Sequence, residues 1–329
     1  MSVLILGGAG YIGSHTAFDF IERGLDVVIL DNLQSGHREA LHPKARFYEG
    51  DIRNSECLDE LFKKEKIDSI VHFAANSLVA ESMSDPLKYY DNNLMGTMVL
   101  LKSLVKHNIK KIVFSSTAAT YGEPQNIPIT EDDVTNPTNT YGETKLAMEK
   151  MFKWVSLAHG VKFVSLRYFN AAGAHKSAKI GEDHSPETHL IPIVLQVANN
   201  QRESVLIYGD DYNTPDGTCI RDYIHVSDLA QAHYLALEYL NKGGESNIFN
   251  LGNGVGFSVK EVIETSREVT GHKIPAIVAK RREGDPARLI ASSKKAIEIL
   301  GWQPKYTDLR EIIETAWMWH KNNPKGFRA

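Results

Sequence analysis

Short apolar runs alternate with longer amphipathic segments through the first half of this 329-residue chain. The runs are rich in β-branched residues, as buried strands are, and the segments between them repeat their apolar residues with the period of a helix. Strands joined through helices run parallel, and a parallel sheet carries helices on both faces. We therefore predict an α/β fold with a Rossmann-type doubly wound parallel sheet, with strands at 3–6, 26–30, 45–49, 69–73, 111–114 and 162–167 and helices at 13–23, 55–65, 86–107 and 141–160.

The regular alternation stops after Asn170. Residues 171–189 are rich in Gly, Ser, Pro and His and predict a loop longer than an ordinary connector, and loops of that length usually have a function. We predict a first domain over 1–175 and a smaller C-terminal α/β domain over 176–329 that closes over the edge of the sheet. The boundary is approximate, and a strand at 247–251 belongs either to the smaller domain or to the first sheet. Helical patterns in this half lie at 190–199, 227–240, 258–270 and 309–321.

Composition narrows the class of protein. The formal net charge is −4, so we expect no polycationic surface of the kind that binds nucleic acid. No apolar run reaches the roughly 20 residues that a membrane helix requires, and the first residues lack the basic region and cleavage site of a signal peptide. The two cysteines, Cys57 and Cys219, are typical of a reducing compartment. We expect a globular cytoplasmic enzyme without nucleic-acid or membrane partners.

A glycine-rich turn follows the first predicted strand. Gly7, Gly10 and Gly13 of GGAGYIG have the GxxGxxG spacing, and glycine there lets backbone N–H groups approach a pyrophosphate at the helix N-terminus. Asp31 ends the second predicted strand, where a carboxylate accepts hydrogen bonds from the adenosine ribose and repels a 2′-phosphate. The pattern predicts a dinucleotide site that prefers NAD to NADP. Asp51 ends the third strand, where it would either bind the adenine amino group or cap the next helix.

Tyr141 and Lys145 lie four residues apart at the start of a predicted helix, so they share one face of it. A free tyrosine has a pKa near 10 and is a poor base. A nearby ammonium, together with a cationic nicotinamide, favours the phenolate and lowers that pKa. The hydroxyl residues Ser115, Ser116 and Thr117 follow the fifth strand, at the edge where open α/β sheets bind their ligands. This combination predicts proton transfer beside a nicotinamide.

Further motifs surround these residues, namely DNLQSGH, HFAA, YYDNN, FSSTAATYG, NTYGETK, RYFNAAGAH, DGTCIRDYIHVSDLA and RREGDPARL. With GGAGYIGSH they resemble, over essentially the whole chain, the extended short-chain dehydrogenase/reductase superfamily and, more narrowly, the UDP-glucose 4-epimerases. Several of them lie outside the motifs common to the superfamily, so the resemblance is specific. It implies an NAD-dependent isomerase that interconverts UDP-galactose and UDP-glucose through a transient 4-keto sugar.

The resemblance also implies a role for each matching residue. Tyr141 would take the proton of the sugar 4-hydroxyl, Lys145 would hold the nicotinamide ribose, and Thr117 would hydrogen-bond the same sugar oxygen. The matching cofactor positions are Gly7, Gly10, Tyr11, Ile12, Gly13, Asp31, Asn32, Asp51, Ile52, Phe73, Ala74, Ala75, Ser77, Asn92, Tyr141, Lys145 and Phe169. The matching UDP-sugar positions are Thr117, Tyr141, Asn170, His189, Leu190, Leu206, Tyr208, Arg221, Arg282, Asp285 and Leu289.

Two positions depart from the pattern of many family members. Ser77 stands where a lysine near the nicotinamide pyrophosphate is frequent, so one cationic contact to NAD is missing. His189 replaces a frequent asparagine beside the diphosphate and is still able to donate a hydrogen bond. His184, Glu187 and His189 also lie close together in the sequence, but a zinc site needs three or four ligands of fixed orientation. The sequence shows no residue nearby that completes such a set, so we expect no metal.

Related activities on this scaffold differ at a few positions. A nucleotide-sugar 4,6-dehydratase needs an acid and a base after the hydroxyl residue, where this chain has Ala118 and Ala119. A UDP-N-acetylhexosamine or UDP-hexuronate 4-epimerase uses the same chemistry at C4, and Leu289, at a sugar-pocket position, does not decide between them. An NAD-binding regulator that does not turn the cofactor over would have no need of Tyr141 and Lys145.

Two predicted helices carry more apolar positions than one face of a sheet requires. The helices at 86–107 and 141–160 resemble the pair that forms a four-helix bundle in the homodimer of the family. We expect a homodimer through this pair, and burial of both helices against the sheet alone is the alternative.

Overall fold

The chain folds around a parallel β-sheet, and the computed structural model describes residues 2–282 and 285–327. The described strands are β1 (Ser2–Leu6), β2 (Asp26–Asp31), β3 (Arg46–Glu49), β4 (Ser69–His72), β5 (Lys111–Ser115), β6 (Lys162–Tyr168), β7 (Asn170–Ala172), β8 (Val205–Tyr208), β9 (Ile220–Arg221), β10 (Tyr223–His225), β11 (Asn247–Leu251), β12 (Phe257–Ser258), β13 (Ala276–Ala279) and β14 (Arg288–Leu289). The described α-helices are α1 (Tyr11–Glu22), α2 (Ser55–Lys64), α3 (Val79–Ser84), α4 (Pro86–Tyr89), α5 (Gly96–Lys106), α6 (Thr140–His159), α7 (Leu190–Ala198), α8 (Val226–Asn241), α9 (Val259–Thr270), α10 (Lys294–Leu300) and α11 (Leu309–Asn322).

Seven strands form the central sheet in the order β11-β6-β5-β4-β1-β2-β3, and every neighbouring pair is parallel. The late strand β11 lies at the edge of this sheet, beside β6. The strand order reverses between β1 and β4, and a crevice opens beyond the carboxyl ends of the strands at such a point. The doubly wound Rossmann architecture predicted from the sequence is confirmed.

Helices cover both faces of this sheet. Along β1 the side chains of Val3 and Ile5 point into one apolar core, whereas those of Leu4 and Leu6 point into the other, because successive side chains of a strand alternate. Residues of α1 and α8 complete the first core, and residues of α2, α5 and α6 complete the second. Apolar burial on both faces explains why the strands read as continuous apolar runs.

The C-terminal part contributes smaller elements around two further apolar clusters. Strand β9 pairs with β12 and β14, β8 pairs with β13, and β7 pairs with β10. Helices α7, α9 and α11 pack against them.

The domain division at 175/176 stays a prediction. Residues 1, 283–284 and 328–329, which include part of RREGDPARL, lie outside the described residues. None of the described helices has both the length and the apolar character needed to cross a bilayer.

The helical pattern predicted over 86–107 is observed over 86–106, and a π-helical segment, Tyr90–Met95, lies within it between α4 and α5. The segment ends where α5 approaches the turn after β3 closely: a Cβ on Gly96 would lie 2.6 Å from Cδ1 of Ile52. Single π turns inside helices are frequent at functional sites, because they change the direction of the side chains they carry. Here the turn carries two buried asparagines, Asn92 and Asn93.

Candidate active site

The glycine turn joins β1 to α1 at the carboxyl edge of the sheet. Gly7 has a φ of +78°, and a Cβ there would lie 2.7 Å from the backbone nitrogen of Ala74. A Cβ on Gly13 would lie 2.1 Å from the carbonyl oxygen of Gly7, so a larger residue would force the turn and the helix apart. Gly10 is the N-cap of α1, and among the described residues no side chain caps this end and no acid lies in the first turn. The amides at this terminus therefore suit an anion, and the turn fits a dinucleotide pyrophosphate.

Asp31 lies at the end of β2 beside this turn and is buried. Its carboxylate accepts N–H bonds from Ala9 at 2.9 Å and from Leu33 at 2.8 Å, one on each oxygen. Burial raises its pKa, and the two amide donors oppose that rise. Each oxygen keeps a second lone pair, so hydrogen bonds from ribose hydroxyls fit the arrangement.

Asp51 lies just beyond β3 and pairs with two neighbours. Its carboxylate accepts hydrogen bonds from the guanidinium and the backbone N–H of Arg53. The side-chain amide of Asn32 also donates to it, at 3.0 Å. The Arg53 guanidinium lowers the pKa of Asp51 to about 2. Asn54 is the N-cap of α2, so the capping role considered for Asp51 is wrong, and its adenine contact stays a prediction.

Asn93, which was not among the predicted residues, links the chain after β4 to α6. Its Oδ1 accepts the backbone N–H of Asn76 at 2.9 Å and the side chain of Asn92 at 3.0 Å. Its Nδ2 donates to Oγ1 of Thr144 at 3.0 Å, and that hydroxyl donates to the carbonyl of Tyr141 at 2.8 Å. The π turn therefore positions the first turn of α6. The YYDNN motif was the available signal, but the local sequence does not show which asparagine turns inward.

The other predicted cofactor residues share one edge of the sheet. They follow the carboxyl ends of successive strands or open the helix or π turn beyond them: Tyr11 and Ile12 open α1, Asn32 follows β2, Ile52 follows β3, Phe73, Ala74, Ala75 and Ser77 follow β4, Asn92 lies in the π turn, and Phe169 follows β6. Ser77 is exposed, and Ile52 and Asn92 are buried. Their shared edge agrees with a bound dinucleotide, and their individual contacts stay predictions.

Tyr141 and Lys145 lie in the first two turns of α6. The Nζ of Lys145 donates to the carbonyl oxygen of Ser115 at 2.8 Å and lies 5.9 Å from the centroid of the Tyr141 ring. Burial lowers the pKa of Lys145 to about 7. In the chain alone, burial raises the pKa of Tyr141 and a hydrogen bond from Thr117 opposes that rise. Lysine is bonded to a carbonyl rather than to the phenol, so the expected lowering of the tyrosine pKa does not arise without the cofactor.

A buried ion pair lies behind these residues and was also missed. Glu149, one turn after Lys145, accepts from Ser116 Oγ at 2.6 Å and from Arg167 Nε and Nη2 at 2.9 and 2.6 Å. Its charge also opposes the loss of the proton from Lys145. The Arg167 guanidinium lies 4.8 Å from the centroid of the Tyr121 ring. The network fixes the chain on both sides of Thr117.

A cavity of about 260 Å³ lies beside the amino end of α7. Eight of the predicted UDP-sugar residues line it: Asn170, His189, Leu190, Leu206, Tyr208, Arg221, Arg282 and Asp285. Of the remaining three, Leu289 packs with Phe169 against the cluster of Ala118, Tyr121 and Ile129, and Thr117 and Tyr141 lie at the sheet edge described above. Asn170 directly follows Phe169, so the cavity continues from the predicted cofactor edge.

Three guanidinium groups line this cavity. Arg221 pairs with Asp285 at 2.7 Å, and the Arg282 guanidinium lies 4.0 Å from the centroid of the Tyr208 ring. Arg202, which donates to Gln196 at 2.6 Å, was not predicted, because it lies in a polar loop without a motif. Three cations around one cavity favour a ligand with several negative charges, such as a diphosphate.

Known proteins are similar to this chain over nearly its whole length. The sequence profile of the NAD dependent epimerase/dehydratase family matches residues 3–252. The UDP-glucose 4-epimerase of Halalkalibacterium halodurans is 64% identical over 327 residues, which cover 99% of this chain and 98% of that protein. The chain belongs to the UDP-glucose 4-epimerase family.

Solved epimerase structures agree with the fold. A crystal structure of a UDP-glucose 4-epimerase that is 57% identical superposes with a TM-score of 0.99, and the match covers 100% of both chains. The UDP-glucose 4-epimerase of Bifidobacterium longum, in complex with NAD⁺ and UDP, is 40% identical and superposes with a TM-score of 0.94, over 99% of this chain and 100% of that one. The family assignment made from the motifs is confirmed, and with it the class of enzyme, an NAD-dependent isomerase.

Proposed function

We propose that this epimerase interconverts UDP-galactose and UDP-glucose, as in galactose metabolism, through a transient 4-keto sugar and with tightly bound NAD. The observation that carries the proposal is the shared location of Tyr141, Lys145 and Thr117, at the edge of the sheet between the glycine turn and the three-arginine cavity. A proton acceptor, a cofactor turn and a diphosphate pocket are the parts that the reaction requires.

Tyr141 is the proton acceptor in this mechanism. Its phenolate takes the proton of the sugar 4-hydroxyl and later returns it, while Thr117 donates a hydrogen bond to the same oxygen. Bound NAD⁺ accepts hydride from C4 and gives it back to the other face of the ring, so the reaction is redox neutral. Lys145, released from the carbonyl of Ser115 to bind the nicotinamide ribose, brings a positive charge toward the phenol and favours the phenolate.

The nucleotide end of the substrate stays fixed in the mechanism. Arg221, Arg282 and Arg202 hold the diphosphate through charge-assisted hydrogen bonds, and Asn170 lies in the same cavity. The sugar is then free to turn over between the two hydride transfers. Ala118 and Ala119 carry neither an acid nor a base, which favours epimerisation over the loss of water across C5 and C6.

The purified protein provides the test. We expect UDP-galactose to yield UDP-glucose, separated by anion-exchange chromatography, with NAD supplied or retained from purification. Tyr141→Phe should lower turnover by about 10²–10⁴-fold, the usual contribution of a general base. Tyr90→Phe, at an exposed tyrosine of the π turn, should leave it unchanged. The proposal fails if no interconversion occurs with NAD added, or if the two variants behave alike.

Substrate preference is tested in the same assay. Rates on UDP-galactose, UDP-N-acetylgalactosamine and UDP-galacturonate compare the proposed reaction with its two alternatives. Leu289→Ala should raise the relative rate on the N-acetylated sugar, because a smaller side chain leaves room for the acetyl group. A faster reaction of the wild-type protein on an N-acetylated or uronic sugar would replace the proposed substrate by that one.

We further propose that the protein is a homodimer that packs α5 and α6 against the same helices of a second copy. Apolar side chains of this helix pair, and of α4 and the π turn before it, are exposed, namely Leu87, Met95, Met98, Trp154 and Leu157. Monomers rarely expose an apolar face of this kind, and a symmetric helix bundle would bury it.

Light scattering on a sizing column tests the assembly. The wild-type protein should elute with twice the chain mass, and Trp154→Glu combined with Leu157→Glu should produce monomers. Val134→Glu replaces an apolar residue that is 80% exposed in a loop and should leave the dimer intact. A monomeric wild-type protein would exclude the proposal.

We also infer a cytoplasmic location, which is supported by the two free cysteines.

A further inference from the structure

Four potential metal ligands meet in the loop between β7 and α7. The ligand atoms of Glu182, His184, Glu187 and His189 all lie within 4.8 Å of one another. The two carboxylate side chains are 4% and 3% exposed, and the two imidazoles are 24% and 44% exposed. Three of these residues were noticed in the sequence, and the structure adds Glu182 as the fourth.

Three of the ligand atoms lie close together without a well-aligned hydrogen bond between them. Nδ1 of His189 lies 2.7 Å from Oε1 of Glu182, and Nδ1 of His184 lies 3.3 Å from the same oxygen. All three of these atoms are buried, yet within the described ranges none has a hydrogen-bond partner. The N–H directions of the rings therefore pass beside the carboxylate oxygen instead of pointing at it.

This geometry suits four ligands around one ion. The nitrogen–oxygen distances across the cluster are 2.7 and 3.3 Å to Oε1 of Glu182, 3.4 Å to Oε1 of Glu187 and 3.8 Å to Oε2 of Glu187. In a tetrahedral zinc site with bonds of 2.0–2.2 Å, neighbouring ligand atoms lie roughly 3.3–3.6 Å apart. One ligand atom from each residue lies within 4.8 Å of the other three, so rotations of the side chains would bring all four around a central ion.

Charge balance favours the same ion. Two buried carboxylates carry two negative charges, which either two ring protons or one divalent cation neutralises. Two protonated imidazoles would neutralise the carboxylates as ion pairs, but within the described residues neither ring nitrogen Nδ1 makes a well-aligned hydrogen bond to Oε1 of Glu182. We propose that Glu182, His184, Glu187 and His189 bind one divalent transition-metal ion, with Zn²⁺ as the preferred ion for two imidazole and two carboxylate ligands.

The surrounding structure holds the ligands in place. Oε1 of Glu187 accepts the backbone N–H groups of Thr188 and His189, each at 2.8 Å. The indole of Trp319 donates to the carbonyl of Glu182 at 3.2 Å. Bonds of this kind to ligating residues orient metal ligands in known sites.

The location of the cluster gives the ion a structural role. The His184 ring lies 6.2 Å from the ring of Tyr11, which opens the cofactor helix α1, and His189 lines the three-arginine cavity and is the N-cap of α7. Four protein ligands close the coordination sphere, as in structural zinc sites. The ion would fix the loop between the cofactor turn and the substrate cavity and would leave Nε2 of His189 for the diphosphate.

Metal analysis of the full chain tests the proposal. The protein is purified without an affinity tag and dialysed against metal-free buffer, and elemental mass spectrometry should then find one zinc per chain. After removal of the metal by a chelator, Co²⁺ should restore binding with the visible d–d absorption of four-coordinate cobalt. The melting temperature should fall on chelation and recover with Zn²⁺. These measurements on the wild-type protein require no variant to fold.

Matched variants then assign the ligands. Glu182→Gln and His184→Gln should each weaken Zn²⁺ binding by more than roughly 100-fold, since even second-shell partners contribute 10–100-fold. Glu60→Gln and His159→Gln, at exposed positions elsewhere, should bind zinc as the wild-type protein does. The proposal is overturned if the wild-type protein binds neither Zn²⁺ nor Co²⁺ stoichiometrically and its melting temperature does not respond. The cluster is then an ion-pair network of protonated histidines.

Discussion

Glu149→Gln is a sharp test of the buried ion pair beneath the active site. The Glu149 and Arg167 side chains are 3% and 4% exposed, so neither charge is compensated by water. One carboxylate oxygen accepts Ser116 Oγ and Arg167 Nε, and the other accepts Arg167 Nη2 at 2.6 Å. Glutamine keeps the first acceptor and places an NH₂ group against the guanidinium instead of the second. The arginine charge is then buried without a counter-charge.

The expected loss follows from this geometry. Removing one partner of a buried ion pair lowers the free energy of unfolding by about 3–5 kcal/mol, because the remaining charge stays desolvated. An uncharged pair of similar volume restores most of that loss, so Glu149→Met combined with Arg167→Met should be more stable than either single variant. Glu143→Gln on the same helix is the control. Glu143 is exposed in the first turn of α6, where a carboxylate contributes less than about 1 kcal/mol.

Urea denaturation monitored by circular dichroism measures these differences. Glu149→Gln should shift the unfolding midpoint strongly to lower urea, the double variant should recover much of the shift, and Glu143→Gln should stay close to the wild-type protein. If Glu149→Gln and Glu143→Gln lose the same small amount, the ion pair contributes little and the assigned role of the network is wrong.

Three further outcomes follow from the structure. Burial lowers the pKa of Lys145 from 10.5 to about 7, so between these values the folded protein binds fewer protons than the unfolded chain. Its free energy of unfolding should therefore rise between pH 7 and 10 relative to that of Lys145→Met, by up to about 1.4 kcal/mol per pH unit. If urea denaturation gives both proteins the same change in free energy of unfolding over this pH range, the expectation is contradicted. Gly13→Ala should abolish retention of NAD in the purified protein, because its Cβ would lie 2.1 Å from the Gly7 carbonyl oxygen. If absorbance shows that the variant still carries one NAD per chain, the glycine turn does not have the assigned role in binding the cofactor. Asn54→Ala removes an N-cap that accepts two amides at 3.0 and 3.1 Å and should lower the free energy of unfolding by about 1 kcal/mol, whereas Asn54→Asp should be neutral.

Local sequence patterns predicted the strands and helices of the central sheet well. The alternation of strands and helices, the turn at Gly7 to Gly13 and the pair Tyr141 and Lys145 each depend on residues a few positions apart. Hydrophobic period and helix spacing report such relations directly. The predicted bounds of α6, 141–160, differ from the observed Thr140–His159 by one residue at each end. The helix over 86–107 was also observed, but its local pattern did not indicate the π turn at Tyr90–Met95 inside it.

The sequence by itself determined the fold class, the cofactor turn and the candidate base, since backbone periodicity and motif spacing are local properties. Only the tertiary structure decided which distant groups meet: β11 pairs with β6, Glu149 pairs with Arg167, and Arg202 joins Arg221 at one cavity. Glu182 likewise meets His189 only because the loop folds back on itself. Burial then sets the charge states of these groups, and burial depends on every element packed around them. No short stretch of sequence contains that information.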